Sequence, residues 1–249
     1  MTRLDGRAYD QARPATVELG FQHHPEGSVL YRCGGTTVLV AASVEEGVRE
    51  WLSGQGRGWL TAEYAMHPRT SPRRQARDGR RGRVDGRAQE IQRLIARALR
   101  ASVVLERLGE RSITLDCDVL DADGGTRTAS ITAGMVATVM CLDRLRRTGL
   151  VGDGVLRSLV AAVSVGLVEG EPMLDLCYEE DSAAEVDLNV VATADGCLVE
   201  VQGTAEEAPI RREQLDRMID LALAGIPSLV EQQERALDAA GIDWKRLLA

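Results

Sequence analysis

The sequence is poor in aromatic residues and in lysine. Aromatic residues make up 3% of the 249 residues, and Lys245 is the single lysine among 30 basic residues. So few aromatic rings argue against extended base stacking, which uses several rings along a groove. Because arginine supplies nearly all of the positive charge, one arginine by itself says little, and only clustered arginines point to a binding site.

Long apolar segments and paired cysteines are also missing. The longest apolar run, residues 159–168, is shorter than the roughly 20 residues with which a helix crosses a bilayer. Residues 1–10 contain no apolar stretch of the kind found in export signals. Five cysteines are scattered without CxxC spacing, four of them in apolar stretches, which predicts buried thiols in a reducing cytoplasm. They are Cys33, Cys117, Cys141, Cys177 and Cys197.

What is present is the composition of an ordinary folded chain. Hydrophobic residues make up 44% and charged residues 27%, close to the averages for globular domains. A chain of this length forms either one large unit or two small halves that pack together. We therefore expect one compact unit, here taken as residues 1–249.

The charge is distributed very unevenly. The net charge is −8, but residues 69–87 contain eight arginines against two aspartates and carry +6, so the rest of the chain carries −14. A solvated surface loop and an RNA-binding segment both fit this pattern, and the clustering favours RNA. The eight arginines are Arg69, Arg73, Arg74, Arg77, Arg80, Arg81, Arg83 and Arg87.

Hydrophobic periodicity predicts strands followed by helices in each half of the chain, which suggests an internal structural duplication, although the sequence contains no repeat. In the first half we predict strands at 16–19, 28–32, 36–44 and 112–120 and helices at 88–108 and 127–147. In the second half we predict an antiparallel meander of strands at 159–168, 173–179, 186–193 and 197–201. Helices at 211–224 and 227–239 follow, separated by Gly225 as a C-cap.

The first candidate site is a glycine turn that leads into a helix. Residues 124–128 read GGTRT, and such a turn presents backbone N–H groups, a hydroxyl and a guanidinium to one point. A cationic side chain at a helix N-terminus is disfavoured by the helix dipole unless an anion lies between them. Arg127 therefore points to bound phosphate, as does Arg87 after Gly86. The open alternative is a tight turn with Thr126 as N-cap and Arg127 paired to a carboxylate.

The second candidate site is acidic. Asp181 and Glu185 lie in a short connection before a strand that begins near Asp187, and carboxylates at the ends of a turn can bind one divalent cation. An acidic surface turn is the open alternative. A weaker acidic candidate comprises Asp116, Asp118, Asp121 and Asp123.

Six segments, in order, resemble those of bacterial ribonuclease PH. They are GWLTAEY at 58–64, EIQRLI at 90–95, LDCDVL at 115–120, ADGGTRTAS at 122–130, EDSAAE at 180–185 and EVQGTAE at 200–206. The similarity extends from about residue 3 to residue 238.

The resemblance implies two related α+β halves, 14–148 and 155–240, each similar to the second domain of ribosomal protein S5. It further implies a homohexameric ring, a trimer of dimers, that trims the 3′ ends of tRNA precursors with inorganic phosphate as co-substrate and releases nucleoside diphosphates. The implied phosphate ligands are Arg87, Gly125, Thr126 and Arg127, the implied Mg²⁺ ligands are Asp181 and Asp187, and the implied RNA contacts are Arg69, Arg73, Arg74 and Arg77.

Two other functions fit parts of the sequence. A non-catalytic RNA-binding ring subunit would keep the fold without the site residues, whereas a hydrolytic metal-dependent ribonuclease would need the carboxylates but not the arginines. The identity of the released nucleotide distinguishes these functions.

Overall fold

The computed structural model describes residue 3 and residues 5–77, 85–205 and 209–249. The first half contains a five-stranded sheet of order β1-β2-β3-β5-β4, in which only the β4–β5 pair is parallel. Its strands are β1 Ala15–Leu19, β2 Gly27–Cys33, β3 Thr36–Glu46, β4 Trp59–Met66 and β5 Arg111–Asp121. Its helices are α1 Gly86–Ser102, α2 Leu105–Leu108 and α3 Thr126–Arg147.

The second half contains a four-stranded antiparallel sheet of order β7-β6-β8-β9. Its strands are β6 Val160–Val168, β7 Glu171–Leu174, β8 Val186–Thr193 and β9 Leu198–Ala205. Its helices are α4 Tyr178–Ser182 and α5 Arg212–Ala239. The predicted α+β class is thereby confirmed, while the domain bounds 14–148 and 155–240 remain predictions.

Helix α3 joins the two halves. It contacts β2 and β3 of the first sheet and β6 of the second, and from Thr128 to Cys141 only Met140 is not fully buried. A helix that is apolar nearly all round belongs in a core. The N-terminus of α3 consequently lies where both halves meet, and this junction positions the site described below.

Tertiary contacts alter two predicted helices. The helix predicted at 88–108 breaks at Val103, which is extended and bridges Leu156, and the Val104 N–H donates to the Val155 carbonyl instead of continuing the helix. The two helices predicted around Gly225 form the single helix α5, with Pro227 inside it. Gly225 is not a C-cap. It allows close packing, because a Cβ there would lie 2.7 Å from Leu174 Cδ2.

Two predictions for the second sheet are wrong. The strands are antiparallel but do not form a meander, because β6 pairs with β8 and leaves β7 at an edge. The strand predicted at 173–179 ends at Leu174, since Asp175 adopts a left-handed backbone with φ 53° and Tyr178 begins α4.

All five cysteines are free thiols. Cys33, Cys117 and Cys141 are buried as predicted, but Cys197 is exposed. Within the described ranges, no helix is both long and apolar enough to span a membrane.

Candidate active site

An open cavity of about 650 Å³ lies at the junction of the two halves. The starts of α1 and α3, strands β4, β6 and β8, and helix α4 all contribute to its walls. The cavity brings together six residues from three separate stretches of the chain: Arg87, Gly125, Thr126, Arg127, Asp181 and Asp187. The sequence predicted these residues as an anion site and a cation site, and the structure brings both into one cavity.

The glycine turn before α3 depends on both of its glycines. Gly124 and Gly125 have φ of 74° and 65°, a left-handed backbone that glycine adopts without steric cost. A Cβ on Gly124 would lie 2.4 Å from the Leu176 carbonyl oxygen, so no other residue fits there without moving the chain. Gly125 is the N-cap residue and Thr126 the first helical residue, so the alternative in which Thr126 caps the helix is wrong.

The two helix starts share one arrangement. Arg87 and Arg127 each occupy the second helical position, and neither helix has a side-chain cap. Burial raises the pKa of Tyr64, while its hydrogen bond with Thr126 and the charges of both arginines lower it. Both arginines line the same cavity as Tyr64, whose hydroxyl is 2.9 Å from Thr126 Oγ1. Two uncapped N-termini and two arginines thus face one small volume, an arrangement suited to an oxyanion.

Arg127 is incompletely paired by the protein. Its Nη1 lies 3.6 Å from Asp187 Oδ2, which is longer than a hydrogen bond. Its Nε is buried and has no hydrogen-bond partner. A buried donor without an acceptor is costly, and a phosphate oxygen in the cavity would satisfy it. The carboxylate-pair alternative is therefore only partly correct.

The acidic side of the cavity suits a divalent cation. Burial raises the pKa of the Asp187 carboxyl, the charge of Asp181 raises it further, and the charge of Arg127 lowers it. Asp181 and Asp187 are thus close enough to repel each other, and Asn189 Nδ2 lies 3.3 Å from Asp187 Oδ2. A cation would relieve this repulsion, and Mg²⁺ commonly uses one or two carboxylates together with waters and substrate phosphates.

Other acidic residues lie elsewhere. Glu185 accepts a hydrogen bond from the Gly170 N–H at 3.0 Å and does not line the cavity. The weaker candidates Asp116, Asp118, Asp121 and Asp123 are absent from the lining too. Over the ranges that the structure covers, no group of three or more His, Cys, Asp or Glu side chains is arranged to hold a metal, so the candidate cation site has two carboxylates.

The basic segment is only partly placed at the site. Arg73 lines the cavity, whereas Arg69, Arg74 and Arg77 are exposed outside it. Arg80, Arg81 and Arg83 lie outside the described residues.

Sequence reasoning missed several residues that line the cavity, among them Tyr64, Ser164, Tyr178 and Asn189. Tyr64 belongs to β4, a strand that was not predicted, and the alternation of buried and more exposed residues along it was the available signal. Ser164 and Asn189 are polar residues within apolar strands and pair with each other across the sheet. The Ser164 Oγ is buried without a hydrogen-bond partner. A polar residue in an apolar strand was the available signal for both.

Comparison with protein families agrees with this geometry. Residues 11–141 match the RNase PH model described as the 3′ exoribonuclease family, domain 1, and residues 158–225 match domain 2 of the same family. The chain belongs to the 3′ exoribonuclease family. The resemblance seen in the sequence is confirmed, and the family's two domains meet at the cavity.

Solved structures share the fold of this family member. Rice (Oryza sativa) Rrp46 is 18% identical with a TM-score of 0.77, and the match covers 94% of this chain and 100% of Rrp46. A chain of the Archaeoglobus fulgidus exosome with RNA bound to the active site is 23% identical with a TM-score of 0.76, covering 93% and 92%. A chain of an archaeal exosome core is 21% identical with a TM-score of 0.72, covering 94% and 91%.

Proposed function

We propose that this chain is a phosphorolytic 3′ exoribonuclease that trims tRNA precursors and releases nucleoside diphosphates. The observation that carries the proposal is the convergence of two uncapped, arginine-bearing helix starts beside two carboxylates in one cavity. A hydrolase would need the carboxylates alone. A phosphorolytic enzyme must hold two anions, the attacking phosphate and the scissile phosphodiester, and this cavity has cationic groups for both.

Inorganic phosphate would bind at the start of α3. Its side-chain ligands in this proposal are Arg87, Arg127 and the hydroxyl of Thr126. Backbone N–H groups of the first helical turn would also donate to it, because the first intrahelical bond runs from the Ala129 N–H to the Gly125 carbonyl and leaves the preceding N–H groups without an intrahelical acceptor. The buried Arg127 Nε would gain its missing acceptor. Arg73, exposed at the cavity wall, would contact the RNA backbone.

Asp181 and Asp187 would hold Mg²⁺. The metal would supply Lewis-acid stabilisation of negative charge on the reacting phosphodiester. The protein's own role is to hold both carboxylates in the cavity beside the arginines. The charge of Arg127 lowers the pKa of the Asp187 carboxyl, while burial and the charge of Asp181 raise it more strongly.

In the proposed reaction a phosphate oxygen attacks the phosphorus of the last phosphodiester. A new P–O bond forms, the bond to the 3′ oxygen of the preceding nucleotide breaks, and that oxygen leaves with a proton from the attacking phosphate. The products are a nucleoside diphosphate and an RNA shorter by one nucleotide. No side chain acts as nucleophile, so catalysis rests on orientation and electrostatic stabilisation.

The proposal extends to the RNA, the assembly and the cell compartment. Arg69, Arg74 and Arg77 are exposed and would bind the tRNA body, and we propose a homohexameric ring, a trimer of dimers, acting in the cytoplasm. In support of subunit contacts, the edge strand β9 exposes Leu198 and Val201, and exposed apolar residues on an edge strand are suited to an interface. Light scattering with size-exclusion chromatography measures the mass directly.

Product analysis tests the reaction. A 3′-extended tRNA is incubated with the protein and Mg²⁺, with and without inorganic phosphate, and the released nucleotides are separated. Nucleoside diphosphates that form only with phosphate support the proposal. Monophosphates formed without phosphate would establish hydrolysis instead, and no release from a folded, RNA-binding protein would establish a non-catalytic subunit.

A further inference from the structure

A buried ionic cluster lies behind the glycine turn. It joins three arginines near the N-terminus to two carboxylates around the start of α4, and each of these side chains is at most 8% exposed. Its members are Arg3, Arg7, Arg13, Asp175 and Glu180. Burying charges is costly even when they are paired, and none of the five lines the cavity. The cluster therefore has a role that offsets the free-energy cost of burying its charges, and that role is not direct contact with a ligand in the cavity.

Arg13 and Asp175 form a rigid pair. Arg13 Nε and Nη2 donate to the two carboxylate oxygens of Asp175 at 3.0 and 2.7 Å, and the Arg13 backbone N–H donates to Oδ2 at 2.8 Å. Asp175 is fixed in turn, since its N–H donates to the Ser164 carbonyl at 2.7 Å. The two guanidinium bonds to one carboxylate fix the orientation of the Arg13 side chain, and the backbone bond fixes its main chain beside Asp175.

The pair packs directly against the phosphate-binding turn. Arg13 Nη1 donates to the Asp123 carbonyl, one residue before the glycines. A Cβ on Gly125 would lie 3.1 Å from Arg13 Nη2 and 3.7 Å from Asp175 Oδ1. The cavity between the pair and Gly125 has a volume of only about 20 Å³, which leaves the turn little room to shift towards the pair. Thr36 Oγ1 holds the other side by donating to the Gly124 carbonyl at 2.7 Å.

A second pair controls α4. Arg3 Nε and Nη2 donate to the two carboxylate oxygens of Glu180 at 2.9 and 2.7 Å, and Arg3 Nη1 donates to the Leu174 carbonyl at 2.7 Å. Glu180 also accepts from the Cys177 N–H at 3.1 Å. Because Glu180 directly precedes Asp181 in this five-residue helix, its attachment to Arg3 fixes where Asp181 lies.

We propose that Arg13–Asp175 positions the phosphate-binding turn and that Arg3–Glu180 positions Asp181 for the cation. The inference rests on the proposed function, because that function assigns phosphate to the turn and Mg²⁺ to Asp181. The N-terminal segment then sets both halves of the site through two ion pairs. Arg3 and Arg7 also link the pairs, because Arg3 Nη2 donates to the Asp175 carbonyl at 3.0 Å and Arg7 Nη1 and Nη2 donate to it at 3.2 Å.

The charge state agrees with this role. Burial raises the pKa of the Asp175 carboxyl, but the hydrogen bond and charge of Arg13 outweigh burial, so the pKa lies below its ordinary value. The pair is consequently ionised throughout the physiological range.

Two variants separate the two pairs. The double change Arg13→Met with Asp175→Asn removes both charges together, so neither is left buried without its partner. Asparagine tolerates the left-handed backbone of residue 175, and the contact of Arg13 with the turn is lost. Calorimetric titration with inorganic phosphate is expected to show binding about tenfold or more weaker, while Mn²⁺ binding, followed by electron paramagnetic resonance, stays at the wild-type level. Glu180→Gln should do the reverse, weakening Mn²⁺ binding by about 10- to 100-fold and leaving phosphate binding unchanged.

A matched control lies at the far end of α3. Asp143 is buried and pairs with Arg146 at 2.9 Å and with Arg147 at 2.6 Å, so Asp143→Asn weakens the pairing of a buried carboxylate remote from the cavity. It should lower the melting temperature and leave both affinities unchanged.

Two outcomes would overturn the proposal. The first is wild-type affinity for both ligands in the two site variants despite lower melting temperatures, because the pairs would then be purely structural. The second is parallel loss of both ligands in each variant, which would mean general loosening. If the wild-type protein binds neither phosphate nor Mn²⁺, the proposed function fails as well, so that failure is distinct from these two.

Discussion

Replacing Arg127 by alanine removes one guanidinium from the cavity. In the present structure that group holds Asp187 only loosely, at 3.6 Å, and buries its Nε without an acceptor. Its loss therefore removes little from the folded protein. In the proposed complex with phosphate the same group is a main ligand, so binding and folding should respond very differently.

The structure sets both magnitudes. A loose, partly exposed ion pair contributes about 0–1 kcal/mol, so the melting temperature should shift by no more than about 4 °C. Each hydrogen bond to a charged group contributes about 1.5–3 kcal/mol. If Arg127 donates two such bonds to phosphate, Arg127→Ala loses about 3–6 kcal/mol, or roughly 10²- to 10⁴-fold at about 1.4 kcal/mol per factor of ten. Arginines at other phosphoryl-transfer sites contribute about 10³- to 10⁵-fold.

The assay is kcat/KM for nucleoside diphosphate release from a 3′-extended tRNA, with phosphate varied. The control is Arg212→Ala on α5. This arginine side chain is 87% exposed and forms a long ion pair with Asp216, at 3.5 Å, so the variant should behave like the wild type. Arg127→Lys keeps the charge without the forked donor and should fall between alanine and wild type. Activity of Arg127→Ala within a few-fold of the wild type would refute the phosphate assignment, and unfolding of that variant would show that Arg127 is structural.

Three further predictions concern stability and RNA binding. Asp175→Asn should destabilise the protein by about 3–5 kcal/mol at pH 7, because it leaves a buried arginine unpaired. The folded-state pKa of Asp175 lies below its ordinary value of 3.8. The difference in unfolding free energy from the wild type, measured with urea, should therefore persist above pH 3.8 and shrink as the pH falls through the folded-state pKa. Gly27→Ala should lower the free energy of unfolding by about 1–3 kcal/mol or more, since the added Cβ would lie 2.1 Å from the Ala137 carbonyl oxygen. The control is Gly152→Ala, whose added Cβ meets no heavy atom within 4 Å and which should unfold like the wild type. Tyr178 is 63% exposed and lines the cavity, so its ring is available for a base to stack on. Loss of that stacking in Tyr178→Ala should weaken the binding of single-stranded RNA by about 1–3 kcal/mol in a fluorescence titration. Unchanged affinity would exclude the stacking.

The sequence alone determined the local features whose signals are contained in a few neighbouring residues. The alternation at β5 and the apolar spacing of α1 predicted a strand and a helix there because burial imposes periods of 2 and 3.6. The GGTRT turn predicted an anion site because an arginine at a helix start opposes the helix dipole. The longer segments predicted the family, and the family models confirmed it.

Sequence reasoning was wrong where distant contacts decided the local backbone. Gly225 resembled a helix end, but packing against Leu174 demanded a glycine in the middle of α5. The strand predicted through Glu179 ended early because Asp175, held by Arg13, adopts a left-handed backbone. The order of the second sheet also depended on which strands paired, and alternation within one strand does not specify its neighbours.

The tertiary structure alone decided that the candidate residues meet. Arg87, Arg127 and Asp187 are separated by tens of residues, and only the packing of α3 between the two sheets brings them around one cavity. The buried pairs of Arg13 and Arg3 were invisible in the sequence, since an arginine's partner is set by the fold and not by its neighbours. Local patterns thus specify which groups can bind an anion or a cation, whereas the distances between those groups arise from burial of α3 against both halves.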